Sequence, residues 1–382
     1  MTTDARPGPW ADDALRALQR PDLLGDLPST DALLKLLARH APQYPHTPSD
    51  QQPAASDAPT DDVSHAVLAN HWRSVAQRTA HAIVTEASPS VQASDITHVL
   101  QWWHLRLVAL WKLRLFAQAH TELTNVWSVL DRVLVQPGSR PLRTTSLVPF
   151  ALHLLRAQDL LVHGQKRAGV AALWQHLSYC EAQERTASDA DVWHLRGLRI
   201  RLLLASALVE MEALDAAAAI VDPLAETLLH GHLDESNALL ALALVRIYAV
   251  MGSLARAEAL AEAAQAAQPS LGGAYAALVR LIRDPHTAPS ESLSTEPLNQ
   301  VNLNTAAVDA FYRGDLDTGL QLLGALMHEQ PTWFATAPGL AGNLFTLHTM
   351  GYGGGIPARR QIVERVADAA GDDPACIDSR MG

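Results

Sequence analysis

Seventeen His, two Cys and short clusters of Arg and Gly are the residues of this 382-residue chain whose types could support chemistry. Histidine holds zinc only when partners stand at suitable spacing, and the sequence contains no HExxH, no CxxC and no paired Cys/His pattern. His230 and His232 flank Gly231 in the string HGHLDE, and with Asp234 they could offer three ligands; a polar loop of this kind is more simply solvated. Cys180 and Cys376 are far apart, and neither has a neighbouring His to draw off its proton. Cys180, beside Leu177 and Tyr179 in a helical pattern, reads as a core thiol. The run GYGGGIP at 351–357 lacks the Lys and Ser/Thr of a phosphate loop and follows a helix rather than a strand, so it reads as a helix terminator and hinge. No GxSxG elbow is present. The expectation is a chain with no catalytic, cofactor-binding or metal-binding residues and no small-molecule substrate, hence not an enzyme.

Two features point to binding instead. Arg196, Arg199 and Arg201 form a basic group next to Trp193 that could meet an acidic partner surface or nucleic acid. Leu195, Leu198 and Leu202 to Leu204 are interleaved with them, which is also the pattern of a packed helix whose Arg side chains reach outward. A formal net charge of -11 repels a phosphate backbone, so a protein is the favoured partner and nucleic acid is not expected. The second feature is LLKLL, which puts Leu33, Leu36 and Leu37 on one side of a helix spanning 30–41. That spacing fits a partner-docking helix, but leucines so placed occur in almost any amphipathic helix, and ordinary packing is the simpler reading.

Ala and Leu dominate the chain, with only 5 Phe and 6 Tyr and few β-branched runs, so helices rather than strands must position these residues. Two cysteines in a chain of this size suggest the reducing cytosol. The opening MTTDARPGPWADD lacks the features of a secretory signal. No apolar run reaches the roughly 18 residues needed to span a bilayer, and the stretch Ala238 to Val245 is cut short by Arg246. Any membrane contact is therefore expected to be indirect. Residues 1–62 carry ten Asp against five Lys and Arg and hold one short amphipathic helix and a Pro/Ser/Asp-rich linker at 41–60. Helical patterns then run from 61 to 370, beginning with one helix at 61–87. The expected organisation is 1–62 acidic segment, 63–283 helix pairs, 284–297 loop, 298–371 a last pair with capping helices, and 372–382 tail.

Within these helices lies a repeat. Leu244, Tyr248, Gly252, Leu254, Ala257, Ala264 and Pro269 occupy the packing, turn and terminating positions of a tetratricopeptide (TPR) unit, and Ala306, Ala307, Gly314, Leu316, Gly319 and Pro331 do so again. In both, a small residue follows the turn Gly by five positions and a Pro follows it by seventeen. Glycine suits a left-handed residue after the first helix, a small residue lets two backbones approach, and Pro stops the second helix. Weaker copies place Trp103, Leu110, Phe116, Ala119 and Leu123 in one pair and Leu160, Gly164 and Gly169 in another. A third has Leu204, Ala205, Leu208, Leu214 and Ala217, with Glu212 where Gly is expected. The fold class expected is all-α, a TPR-like solenoid of antiparallel helix pairs; an irregular Ala-rich bundle is the alternative. Trp102, Trp103, Trp111 and Trp127 read as core.

Three strings carry a family resemblance: LQWWHLRLVALWKLRLFAQAHTEL (100–123), SLVPFALHLLRAQ (146–158) and NLNTAAVDAFYRGDLDTGLQLLGALMHEQP (302–331). With NLFTLHTM (343–350) they resemble the TPR region of the family of subunit 12 of the trafficking protein particle complex, TRAPP, over roughly 65–350. The resemblance implies an accessory subunit of a TRAPP III-type assembly, a vesicle tether and guanine nucleotide exchange factor for a Rab GTPase in ER-to-Golgi transport and autophagy. It implies a cytoplasmic scaffold, peripheral to ER and Golgi membranes, whose partners are other TRAPP subunits. Exchange chemistry in that family belongs to small core subunits, so no catalytic residue carries over. The alternative is a generic TPR adaptor, which would need Lys, Arg and Asn along successive first helices; here those positions are largely apolar or Ala, which suits burying a neighbour's helix.

Overall fold

The computed structural model describes residues 10–30, 32–46, 48–49, 59–85, 93–134, 148–231, 233–284, 300–337, 339–352 and 356–373. Every regular element among them is helical. In order these are α1 (Trp10–Leu18), α2 (Ala32–His40), α3 (Pro59–Leu68), α4 (Trp72–Thr85), α5 (Ala93–Lys112) and α6 (Phe116–Leu134). Next come α7 (Phe150–Val162), α8 (Lys166–Thr186), α9 (Ala190–Glu210), α10 (Leu214–His230), α11 (Glu235–Val250) and α12 (Leu254–Ala267). The last are α13 (Pro269–Arg283), α14 (Gln300–Tyr312), α15 (Leu316–Glu329), α16 (Pro331–Thr336), α17 (Leu340–Tyr352) and α18 (Ile356–Ala369).

One turn recurs five times. Arg114, Gly164, Glu212, Gly252 and Gly314 each follow a first helix with φ of 61°, 77°, 60°, 78° and 81°. The next amide returns to the carbonyl five residues back: Leu115 to Leu110, Gln165 to Leu160, Ala213 to Leu208, Ser253 to Tyr248 and Asp315 to Ala310, at 2.8–2.9 Å. This is the Schellman closure, which satisfies carbonyls left open at a helix end and reverses the chain. Five residues after the left-handed position stands a buried small residue: Ala119, Gly169, Ala217, Ala257 or Gly319. At Gly169 the reason is direct, because a Cβ there would lie 2.6 Å from Leu161 Cδ2 and 3.0 Å from the Ala157 carbonyl oxygen. The architecture is thus all-α, built from antiparallel helix pairs in the manner of a helical-repeat solenoid.

Pro269 and Pro331 do more than end a helix. Each is the first residue of the next one, α13 and α16. The preceding Gln268 and Gln330 adopt nearly the same non-helical conformation, φ/ψ of -132°/74° and -133°/61°. Proline excludes its predecessor from the helical region yet suits the first helical turn, so one residue both stops a helix and starts another.

The contacts form two compact units, residues 1–156 with 327–382, and residues 157–326. This division is separate from the segments expected at 1–62, 63–283, 284–297, 298–371 and 372–382, of which residues 50–58, 285–297 and 374–382 fall outside the described residues. In the first unit the acidic segment is part of the core rather than a preface to it. It contains two helices, not one, and Ala14, Leu15 and Leu18 of α1 pack with Trp103, Leu107 and Leu123 of α5 and α6. Trp103 donates its indole N–H to the Leu18 carbonyl at 3.0 Å. Beside it, Arg106 and Glu122 form a fully buried pair at 2.7 Å. The Arg106 guanidinium also donates to the Gly25 and Ala76 carbonyls, at 2.7 and 2.8 Å, while Glu122 accepts from the Gly25 amide at 3.0 Å. The strand of backbone between α1 and α2 is thereby tied to α4, α5 and α6.

The helix expected over 61–87 is broken into α3 and α4 at Asn70, φ 57°. Asparagine tolerates the left-handed region better than most residues, so no Gly marks the break. Asp372 closes it from the far end of the sequence: its carboxylate accepts from the Arg73 amide at 2.9 Å and from the Ser49 hydroxyl, and its own amide donates to the Asn70 carbonyl at 2.9 Å. A carboxylate at the first turn of α4 satisfies open amides and matches the helix dipole.

In the second unit α8 to α14 pack in sequence order, each helix on the next, with α9 against α11, α10 against α12 and α11 against α13. Buried alanines set the close spacing: Ala205, Ala238, Ala241, Ala257, Ala261 and Ala264 are all inside. Tyr248 is buried among them and donates its hydroxyl to Asp222 Oδ1 at 2.6 Å, where Arg256 also pairs at 2.6 Å.

Candidate functional site

A repeat array offers its first helices as a wall, and here α9 and α11 are the first helices of neighbouring pairs, each ending at an equivalent turn, Glu212 and Gly252. Between them runs a groove of roughly 390 Å3. Leu202, Ser206 and Val209 of α9 face Ala243, Ile247 and Val250 of α11, with Glu210 and Arg246 as the charged members. Spacings of three and four residues place these side chains on one stripe of each helix. Leu195 and Leu239 extend the two stripes away from the turns.

What distinguishes the surface is apolar exposure on helices that are otherwise packed in the core. Val250 is 73% exposed, Leu195 64% and Leu239 52%, although the remainder of both helices is anchored in the core by residues such as Ile200, Leu204, Ala241 and Val245. Large apolar side chains left in water side by side mark interaction surfaces more often than catalytic ones.

The three arginines singled out from sequence have different fates. Arg196 lays its guanidinium 4.4 Å from the centre of the Trp193 ring, and Arg201 pairs with Glu181 of α8 at 2.7 Å. Trp193 in turn meets Tyr179 edge to face at 5.4 Å, and His194 meets Glu184 at 2.9 Å. These contacts staple α9 to α8. Arg199 alone remains exposed with no partner among the described residues, on the same stripe as Leu195 and Leu202. Arg246, met in the sequence only as the residue that interrupts an apolar run, is likewise exposed and has no partner among the described residues. The groove residues Val209, Ile247 and Val250 were not singled out; the local signal was an apolar side chain at a position the repeat leaves outside the helix pair.

The positions read from the repeat divide between packing and turns: Gly169 and Gly319 are buried, whereas Gly164, Gly252 and Gly314 are exposed left-handed turn residues and Pro269 and Pro331 are exposed helix starts. Trp103, Ala119, Tyr248 and Ala257 are buried, and Phe116 meets Trp111 edge to face at 5.8 Å. Leu33, Leu36 and Leu37 of the LLKLL helix are buried where α2 packs on α18, so they are core and not a free docking face. Burial pushes the Cys180 thiol up to about 11, which suppresses the reactive thiolate. In the HGHLDE loop Asp234 caps α11 by accepting from the Asn237 amide at 2.7 Å, and His230 lies 3.3 Å from Glu226. His232 lies outside the described residues, as do residues 353–355 of the glycine run and Cys376. Among the described residues no helix is long and apolar enough to cross a membrane.

Comparison with known proteins gives this surface a context. The chain is similar to a trafficking protein particle complex subunit. It is 23% identical over 317 residues to trafficking protein particle complex subunit 12 of Mus musculus, an alignment covering 73% of this chain and 38% of that protein. With the Homo sapiens protein of the same name the identity is also 23% over 317 residues, covering 73% and 42%. The chain thus spans less than half the length of these curated relatives. No protein-family model matches the chain, and no solved structure matches it.

Proposed function

We propose that this chain is a non-catalytic accessory subunit of a TRAPP III-type vesicle-tethering and Rab nucleotide-exchange complex, serving ER-to-Golgi transport and autophagy. The observation that carries the reading is the similarity to trafficking protein particle complex subunit 12, which runs through 317 residues rather than one repeat. The architecture is compatible with it. TPR-like pairs with apolar first-helix faces hold other proteins by shape and burial, and the conspicuous cysteine, Cys180, is buried and suppressed. Exchange chemistry is assigned to small core subunits, and this chain positions them. It resides in the cytoplasm and meets ER and Golgi membranes through the assembly. Tagged protein purified from its native cell in mild salt is expected to bring down other TRAPP subunits; their absence from a mass-spectrometric inventory sinks the reading. Nucleotide exchange by the isolated chain, abolished by Arg199→Ala, would contradict the non-catalytic role.

A second reading, an adaptor outside vesicle traffic, draws on the groove between α9 and α11, which would serve any helical partner. The same purification separates the two, since an adaptor would recover partners unrelated to trafficking complexes.

A further inference from the structure

We propose that the groove between α9 and α11 docks a single amphipathic helix from a partner protein, one that carries two acidic residues about two turns apart beside its apolar stripe. This rests on the reading of the chain as a subunit that holds other proteins, and it names the chemistry of one such partner.

The walls are apolar and helical. From Leu239 to Val250 the α11 stripe spans eleven residue steps, about 17 Å at 1.5 Å per step, which matches three turns of a docked helix. An extended peptide would leave most of its own amides facing apolar side chains, because Leu202, Val209, Ala243, Ile247 and Val250 offer no acceptors and only Ser206 and Glu210 of the lining do. A helix satisfies its backbone internally and presents side chains at i, i+3, i+4 and i+7 to such a groove.

The charges fix the partner's sign and direction. Arg201, Arg256, Arg280 and Arg283 of the same unit all have carboxylate partners. Arg199 and Arg246 have none among the described residues, although acidic residues outnumber basic ones 40 to 29 in the chain. Arg246 lines the groove, and Arg199 stands three residues before the lining residue Leu202 on the same stripe of α9. Registered on the equivalent turns at Glu212 and Gly252, Arg199 lies thirteen residues before its turn and Arg246 six before its own, a difference of seven residues, roughly 10 Å. Glu210 lies two residues before Glu212, at the turn end. Read along the groove the order is acid, base, base. The complementary helix carries a Lys or Arg at one end and then two Asp or Glu, with Leu, Ile or Phe between. Such complementarity sets orientation more than total affinity.

The test uses the full chain and a displayed library of Ala-based helices of about 16 residues, with Leu fixed at i, i+4, i+7 and i+11 and the remaining positions randomised. Recovered peptides are expected to be enriched in Asp or Glu at two positions seven apart. Arg246→Glu is expected to weaken those peptides about fivefold or more and to select Lys or Arg at the facing position. Val250→Asp is expected to weaken them by more than about tenfold, since it places a charge on the apolar wall. Both positions are exposed, and matching circular dichroism melts establish that each variant is folded; Leu239→Asp provides an independent third. The proposal is overturned if no peptide is recovered, if the recovered peptides show no acidic excess, or if they bind the Arg246→Glu protein as tightly as the natural chain. Should TRAPP subunits co-purify while panning yields no acid-bearing helix, the groove assignment falls and membership stands. Should acid-bearing helices be recovered while no such subunits co-purify, membership falls and the groove stands.

Discussion

Replacing Glu122 with Ala is the perturbation that tests most severely how the first unit is held together. Arg106 and Glu122 are each about 2% exposed, and their side chains meet through two hydrogen bonds of 2.7 and 2.8 Å. Without the carboxylate, Arg106 keeps its bonds to the Ala76 and Gly25 carbonyls but stays buried as an uncompensated charge, and the Gly25 amide loses its acceptor. Breaking one side of such a pair costs about 3–5 kcal/mol, a large part of the 5–15 kcal/mol typical of a folded domain. The melting temperature of the first unit should fall by roughly 6–20 °C. Hydrogen exchange in the peptide covering residues 14–27 should become fast, because that segment is tied to the core through this pair. The double change Arg106→Met with Glu122→Leu removes both charges and should cost much less than the single change, since a well-packed apolar pair can replace a buried ion pair. Protection of residues 14–27 left intact in Glu122→Ala, with a melt within about 2 °C of the natural chain, would refute the account of that core.

Three further outcomes follow from the repeat geometry. Glu212→Gly should stabilise and Gly252→Glu should destabilise the second unit by about 1–2 kcal/mol each, because both positions are left-handed; urea titrations of the two variants should move in opposite directions. Gly169→Ala should lower stability by about 1–3 kcal/mol through the clash with Leu161 and the Ala157 carbonyl, measured the same way. Burial and the bond to Asp222 push the Tyr248 hydroxyl up to about 12 from 10. The folded chain therefore holds this proton more tightly, and its stabilising effect is complete below pH 10 and lost as pH rises toward 12. Denaturation at pH 9 and pH 11 should show a larger loss for the natural protein than for Tyr248→Phe.

Where the turn residue is glycine, the repeat could be read directly: Gly164, Gly252 and Gly314 all take the left-handed conformation that their spacing suggested. Arg114 and Glu212 make the same turn without glycine, which erased the compositional cue while leaving the small residues Ala119 and Ala217 in place. Asn70 hid the division between α3 and α4 in the same manner. The buried role of residues 14–25 was not readable locally, since it depends on Arg106, Glu122 and Ala76, which are distant in sequence and meet only after α4, α5 and α6 have packed. Asp372, capping α4 from almost 300 residues away, is another such case. Of the basic group Arg196, Arg199 and Arg201, sequence supplied the helix but not the partners. Trp193 and Glu181 occupy two of the three, and the groove shared by α9 and α11 exists only because two repeats lie side by side.

Crosslinking mass spectrometry on the assembly isolated with this chain tests the central claim most directly. The account predicts crosslinks to TRAPP subunits from Lys166, close to the turn end of α9, and from Lys35 and Lys112, the other two lysines of the chain, with those from Lys166 reduced in the Val250→Asp protein. Crosslinks confined to the chain itself, or leading only to proteins outside trafficking complexes, would contradict it.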